Sequence, residues 1–184
     1  MKRLFIRSSA APGLLFIVAL AACTGGGSGS SSKPPAIAGS SPIPAVSQSS
    51  DVVRISSSIV QIPRNGSADA VLTLSISPGF HINANPATFS YLIPTKVEQA
   101  RDPIGPITMG KPAYPPAVTK KFAFSEHPLA VYEGNVSIKL PLRVGSKASE
   151  DQQPVFIKVQ IQACDNEQCY PPAIVNATVT VEVK

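Results

Sequence analysis

Apolar and polar residues alternate along several segments of this 184-residue chain, and the alternation is what most constrains its fold. The pattern is clearest over residues 71–76, 135–144 and 175–184. Because successive side chains of a strand point to opposite faces, a period of two predicts strands with one buried face. No segment shows the apolar periodicity of an amphipathic helix. Turn-forming residues punctuate the runs at Asn65-Gly66, Pro78-Gly79 and Glu133-Gly134. The pattern predicts an all-β, antiparallel, immunoglobulin-like β-sandwich over residues 51–184.

One segment of this domain departs from the alternation. The stretch from Arg101 to Ala117 contains five prolines, which cannot donate a backbone hydrogen bond to a strand ladder. The sequence therefore predicts a long irregular loop there.

The first 22 residues have the features of an export signal. A basic start is followed by the apolar run Leu14–Leu20, which is too short to span a bilayer. The next residues, Leu20-Ala21-Ala22-Cys23, resemble the lipobox of bacterial lipoproteins, in which the cysteine is acylated and becomes the new N-terminus. We therefore expect Cys23 to anchor the protein to lipid on the periplasmic side of a bacterial membrane. Thr24 slightly favours the outer membrane, and an ordinary signal peptide is the alternative.

Residues 23–50 are rich in Gly, Ser and Pro, a composition that predicts a flexible linker. Removal of the signal peptide would reduce the formal charge from +5 to +2, because Lys2, Arg3 and Arg7 leave with it. With no basic stripe interleaved with aromatic residues, we expect no nucleic-acid partner.

Cys164 and Cys169 are the two cysteines left over if Cys23 is acylated. Pairing is expected because exported proteins meet an oxidising environment. Cys164 shares strand parity with Lys158 and Gln160, which predicts that it points away from the sandwich core. A short hairpin would bring the two Cα atoms to roughly 5.5 Å.

A disulfide that closes so short a loop stabilises the fold by only about 1–2 kcal/mol, which is a weak reason for its presence. Exposed or strained bonds are the more exchange-competent ones. From spacing alone, a redox-active bond and a static bond that pins the hairpin remain equally open. Asp165 and Glu167 are expected to discourage thiolate formation at both sulfurs.

The run from Val159 to Cys164, followed by Cys169-Tyr170-Pro171-Pro172, resembles the cysteine hairpin of the N-terminal periplasmic domain of the thiol:disulfide interchange protein DsbD. Residues 78–83 and 122–142 resemble other strands of that family in the same order. The resemblance implies an immunoglobulin-like domain whose cysteines cycle between dithiol and disulfide. Cys169 would be the exchanging sulfur and Cys164 the resolving one.

The same resemblance implies a thiol:disulfide oxidoreductase component that has no thioredoxin motif of its own and needs no cofactor. The membrane and thioredoxin-like domains usually fused to it are missing from this sequence, so electrons would come from a membrane thiol carrier or thioredoxin-like protein in trans and pass to periplasmic disulfide proteins. Phe122 and Phe124 are candidates for the aromatic cap that shields the disulfide in the family. The alternative places one of them in the core and the other on an edge.

His81 and Tyr170 are further candidate neighbours of the cysteine pair. Together with the cysteines, His81 and His127 offer ligand types for copper or zinc, but nothing in their spacing specifies such a site. We expect no metal. The main alternative to an exchange module is an immunoglobulin-like binding or structural lipoprotein with a static disulfide.

Overall fold

A computed structural model of the chain describes residues 46–100 and 105–184. The predicted signal peptide, Cys23 and most of the predicted linker lie outside the described residues, so those expectations stay predictions. In chain order, the strands are β1 (Val53–Ser57), β2 (Val60–Ile62), β3 (Ser67–Ile76), β4 (His81–Asn83), β5 (Lys96–Gln99), β6 (Ile107–Met109), β7 (Val118–Lys120), β8 (Leu129–Tyr132), β9 (Asn135–Val144), β10 (Gln152–Ile161), β11 (Ala163–Cys164) and β12 (Ala173–Val183).

The strands form three four-stranded sheets. Their orders are β1-β3-β9-β6, β2-β12-β10-β5 and β11-β4-β8-β7. All pairs are antiparallel except β2 with β12. The predicted all-β, immunoglobulin-like β-sandwich is therefore confirmed.

The main core fills the sandwich with aliphatic side chains from the long strands. Strand β9 alternates exposed and buried positions along most of its length, with Ile138 and Leu140 completely buried. Strands β3 and β10 alternate in the same way and contribute Leu72 and Ile157. The period-two pattern thus identifies which face of each strand is buried.

The proline-rich segment is not entirely irregular, so the prediction of a loop from Arg101 to Ala117 is partly wrong. Residues 101–104 are not described, but β6 lies within the segment and pairs with β9. The Gln99 side chain holds β6 by donating to Ile107 O at 3.2 Å and accepting from Met109 N at 3.1 Å. Pairing is possible because the three residues of β6 lie between prolines and keep their own N–H groups.

The chain already contacts the domain before residue 51, where the linker was expected to end. A short 3-10 helix spans Ser49–Asp51, and Ser49 is completely buried. The Ser49 hydroxyl donates to Pro171 O at 2.7 Å and accepts from Ala163 N at 2.8 Å. Composition did not predict this contact because one serine of a serine-rich segment looks like any other.

Candidate functional site

Cys164 and Cys169 form the predicted disulfide, with the sulfurs 2.02 Å apart. Their Cα atoms are 3.9 Å apart, closer than the predicted 5.5 Å. The hydrogen bonds flank the pair: Tyr170 N donates to Ala163 O at 2.8 Å, and Asp165 N donates to Gln168 O at 2.9 Å. The cysteines are therefore a non-hydrogen-bonded antiparallel pair, the class in which Cα atoms approach more closely.

The turn between the cysteines is organised around the Asp165 carboxylate. One oxygen accepts the N–H groups of Glu167 and Gln168, both at 2.8 Å, and the other accepts the Tyr170 hydroxyl at 2.6 Å. The Tyr170 hydrogen bond is the main reason that the pKa of Asp165 is lowered, and the same bond raises the pKa of Tyr170. These bonds hold the turn in addition to the sulfur–sulfur bond.

The two sulfurs differ in their access to solvent. Cys164 is completely buried, whereas Cys169 is partly exposed. Strand parity along β10 predicted that Cys164 faces away from the core, and it did not predict this burial. Cys164 does not belong to the main core cluster, although its neighbour Ala163 does, and it is buried instead where β10 ends at Ile161 and the chain enters β11, which pairs with β4 in the third sheet.

His81 lies directly opposite Cys164 in the pairing of β4 with β11. Its imidazole is 1% exposed and stacks on the Phe122 ring, with the centroids 3.9 Å apart. Burial disfavours the charged imidazolium and lowers the pKa of His81 to about 4. The Nε2 atom of His81 is buried and has no hydrogen-bond partner.

Phe122 and Phe124 continue the stack beside His81. Their ring centroids are 5.4 Å apart, and the Phe124 centroid is 6.3 Å from that of His81. Phe122 is buried in a small cluster with Leu129 and Val131, while Phe124 is 37% exposed. One aromatic is thus interior and the other superficial, and both lie on the disulfide side of the domain.

A cavity of about 500 Å³ opens beside Cys169. Its walls come from two loops and from the cysteine hairpin, and they include Phe89, Tyr91, Leu92, Phe124, His127 and Cys169. The first loop is held by Asn83 at the end of β4, whose side-chain amide donates to Ile93 O at 3.1 Å and to Gln162 Oε1 at 3.2 Å. The partly exposed Cys169 therefore lines a mostly apolar recess.

A protein-family comparison matches residues 52–180 to the family described as the N-terminal domain of the thiol:disulfide interchange protein DsbD. The chain belongs to this family. Comparison with curated protein sequences gives no match.

The solved structures that are similar to this DsbD family member include two N-terminal domains. One is the reduced N-terminal domain of DsbD from Neisseria meningitidis, with 19% identity, a TM-score of 0.39, and 60% of this chain and 75% of that chain covered. The other is the N-terminal periplasmic domain of ScsB from Proteus mirabilis, with 12% identity, a TM-score of 0.45, and 71% and 45% covered.

In this DsbD family member, the structure gathers the residues singled out from sequence around one hairpin. His81 pairs with Cys164, Phe122 and Phe124 stack beside His81, and Tyr170 bonds to the turn. His127 lines the same cavity as Phe124 and Cys169, with its ring centroid 6.1 Å from that of Phe89. No group of three or more potential metal-ligating His, Cys, Asp or Glu side chains was found in residues 46–100 and 105–184, so the copper or zinc alternative gains no support.

Sequence reasoning missed two contributors to the site. The loop that carries Phe89, Tyr91 and Leu92 forms one wall of the cavity, and Ser49 bonds to both ends of the hairpin region. The sequence could have indicated the cavity wall, because large apolar side chains cluster in this loop. No local signal marks Ser49, because its partners are more than 110 positions away.

Proposed function

We propose that this protein is a lipid-anchored periplasmic thiol–disulfide interchange module in which Cys164 and Cys169 cycle between dithiol and disulfide. Electrons would pass between a membrane thiol carrier or thioredoxin-like protein, acting in trans, and periplasmic disulfide proteins. The observation that carries the proposal is a disulfide between a completely buried cysteine and a partly exposed one, in a chain of the DsbD N-terminal family.

The difference in burial supports distinct roles for the two sulfurs. A partner thiolate must approach the sulfur that it attacks, and Cys169 is the accessible one beside an open cavity. Attack there breaks the bond to Cys164, which becomes the leaving sulfur. In the reverse direction, Cys164 attacks Cys169 of the mixed disulfide and releases the partner.

The hydrogen bonds of the hairpin support repeated cycling. Asp165 organises the turn, and Ser49 links Ala163 to Pro171 at its base. None of these bonds involves a cysteine side chain, which supports a hairpin that keeps both thiols close together after reduction. A static staple would be redundant where the backbone is already fixed.

The lipid anchor rests on the sequence preceding Cys23 rather than on the domain. No helix in the part of the chain that the structure describes is long and apolar enough to cross a membrane. We propose acylation at Cys23, with the outer membrane slightly favoured. Retention in the membrane fraction, lost on Cys23→Ala substitution, would test this step.

Mixed-disulfide trapping tests the exchange role. With Cys164→Ser, the resolving sulfur is gone, so Cys169 should accumulate covalent adducts with partner proteins in cells. The matched control is Cys169→Ser, which keeps a free but buried thiol and should give far fewer adducts. Equal trapping by both variants would contradict the assigned roles, and an absence of adducts from both would count against exchange.

The static-disulfide alternative is favoured by one observation, the complete burial of Cys164 within the third sheet. The two functions differ in reduction potential. Structural disulfides typically lie below about −300 mV, whereas exchanging ones are more oxidising. Equilibration of the full chain with dithiothreitol buffers gives the value, and a potential well below −300 mV would leave only the structural role.

A further inference from the structure

His81 is a buried titratable group with no structural partner at one of its ring nitrogens. Its side chain is 1% exposed, and Nε2 lacks a hydrogen bond although water cannot reach it. An unsatisfied buried polar atom destabilises a fold by about 1–3 kcal/mol, so an uncompensated one calls for an explanation. A phenyl ring would stack on Phe122 equally well without that loss.

The register of the third sheet places this imidazole next to the leaving sulfur. Cys164 and His81 are directly opposed in the antiparallel pair of β11 with β4. Opposed residues project from the same face, with Cβ atoms about 4.5–5.5 Å apart. In the disulfide state, Cys164 has no proton to give and its sulfur is bonded to Cys169, so Nε2 has nothing to pair with.

Few charges compete for His81. Asp165 in the hairpin and Glu133 after β8 favour its protonation, while Lys120 at the end of β7 opposes it. Lys120 and Glu133 form an ion pair at 2.6 Å, so their effects on His81 partly cancel. Burial dominates, and the imidazole is neutral near pH 7 while the disulfide is closed.

We propose that His81 is the proton partner of the Cys164 sulfur, left unpaired in the disulfide state because its function begins when the disulfide opens. The inference rests on the proposed exchange function. It explains why a histidine occupies a position where an apolar ring would be more stable.

Reduction of the disulfide by a dithiol partner takes two exchange steps. A thiol of the reducing partner loses its proton, and its sulfur forms a bond with Cys169 Sγ while the Cys164–Cys169 bond breaks. The electron pair stays on Cys164, whose thiolate would be costly in a site without water. The proton lost by the partner arrives at His81 Nε2 and is shared with Cys164. When the partner's second thiol attacks its own mixed disulfide, Cys169 leaves and is protonated, so the partner is oxidised to a disulfide and the domain holds two thiols.

The chain has two histidines, so NMR of histidine-labelled protein gives two sets of ring signals. The His127→Gln variant lacks one set and thereby identifies the signals of His81. Full-length protein carrying Cys169→Ser keeps the thiol opposite His81, whereas Cys164→Ala removes it and leaves no hydrogen-bonding group in its place. We expect the pH at which His81 titrates to differ by at least about one unit between Cys169→Ser and Cys164→Ala. Titration at the same pH in both variants would overturn the proposal.

The wild-type protein provides the same comparison without substitution at the site. His81 should titrate near pH 4 in the oxidised protein and at a clearly different pH after reduction with a phosphine. An unchanged titration across the two redox states would also overturn the proposal, even if both single-cysteine variants fail to fold.

A kinetic measurement separates this inference from the exchange function. His81→Phe keeps the stack on Phe122 but has no proton acceptor, so opening of the disulfide by dithiothreitol at pH 7 should slow about tenfold or more. An unchanged rate would contradict the role of His81 while leaving exchange intact. Failure of partner trapping, with His81 still coupled to Cys164, would contradict the exchange function alone.

Discussion

The main core and the disulfide end of the domain bury different kinds of side chain. The disulfide end consists of the third sheet, the cysteine hairpin and the segments bonded to them. The main core is aliphatic and regular, with side chains such as Leu72, Leu140 and Ile157 completely buried. The four polar residues that are buried in the described part of the chain, Ser49, His81, Asn83 and Thr95, all belong to the disulfide end. The contrast teaches that the sandwich supplies stability, which the disulfide end uses to hold polar groups that would not be buried for stability alone.

The disulfide end also carries the unsatisfied atoms. His81 Nε2 and Asn83 Oδ1 are buried without a hydrogen-bond partner, two positions apart on β4. Thr95 donates to the Asn83 carbonyl at 2.6 Å, so the backbone at this point is well paired even though the side chains are not. A rigid backbone with unpaired side-chain atoms is typical of sites that bind or react.

The largest effect should come from opening a cavity in the main core. Leu72→Ala removes a completely buried side chain from β3, and we expect the free energy of unfolding to fall by about 2–5 kcal/mol. The reduction potential of the disulfide should change little, because Leu72 lies in the first sheet and neither cysteine belongs to the main core cluster. Urea denaturation and dithiothreitol equilibration measure the two quantities.

The neighbouring Val71, which is 37% exposed on the same strand, provides the control. Val71→Ala should change stability far less. Equal losses of stability in the two variants would mean that the alternation of β3 does not tell which of its side chains are buried in the core.

The next effect is pH-dependent and belongs to the disulfide end. The folded, oxidised protein keeps His81 neutral down to about pH 4, whereas the unfolded chain protonates it near pH 6.5. Between these values the unfolded state binds more protons, so stability should fall as the pH falls, by up to about 1.4 kcal/mol per pH unit. Urea denaturation at pH 7, 6 and 5 measures the slope.

His81→Phe should flatten this pH dependence, since a phenyl ring does not titrate. Any slope that survives in the variant belongs to carboxylates such as Asp165, whose pKa is also lowered in the fold. Identical slopes in the variant and the wild-type protein would mean that His81 is not held neutral.

The smallest effect should come from the serine that connects the two ends of the hairpin region. Ser49→Ala removes the hydroxyl that bonds to Pro171 O and Ala163 N, and we expect a loss of about 1–3 kcal/mol in the free energy of unfolding. Hydrogen exchange of the Ala163 amide should accelerate more than that of β9 amides. Ser57→Ala, which loses an exposed bond to Thr178 O, is the matched control and should have little effect.

Sequence reasoning reached the fold because strand alternation is a local property. The runs that became β3, β9 and β12 could be recognised within ten or so residues, and the buried faces followed. The short β6 escaped notice because its pairing with β9 overcomes a local composition rich in proline.

The candidate site was predictable only in part. Cys164 and Cys169 are close in the sequence, so their pairing required no knowledge of the fold. Their 3.9 Å Cα spacing depends on the hydrogen-bonding class of the pair, which the sequence does not encode locally. The opposition of His81 and Cys164 joins residues 83 positions apart, and the burial of Cys164 depends on a change of sheet at Gln162.

The contact at Ser49 has a practical consequence for how the protein can be handled. At Ser49 the chain lies beside the hairpin. The eleven residues of β12 begin near the hairpin at Ala173 and end at Val183, a span of about 35 Å. A support or fusion attached ahead of Ser49 would lie next to the disulfide, and one attached after Val183 would lie at the far end of the domain. Immobilising the protein from either side would therefore present the disulfide in opposite orientations to a surface-based binding assay.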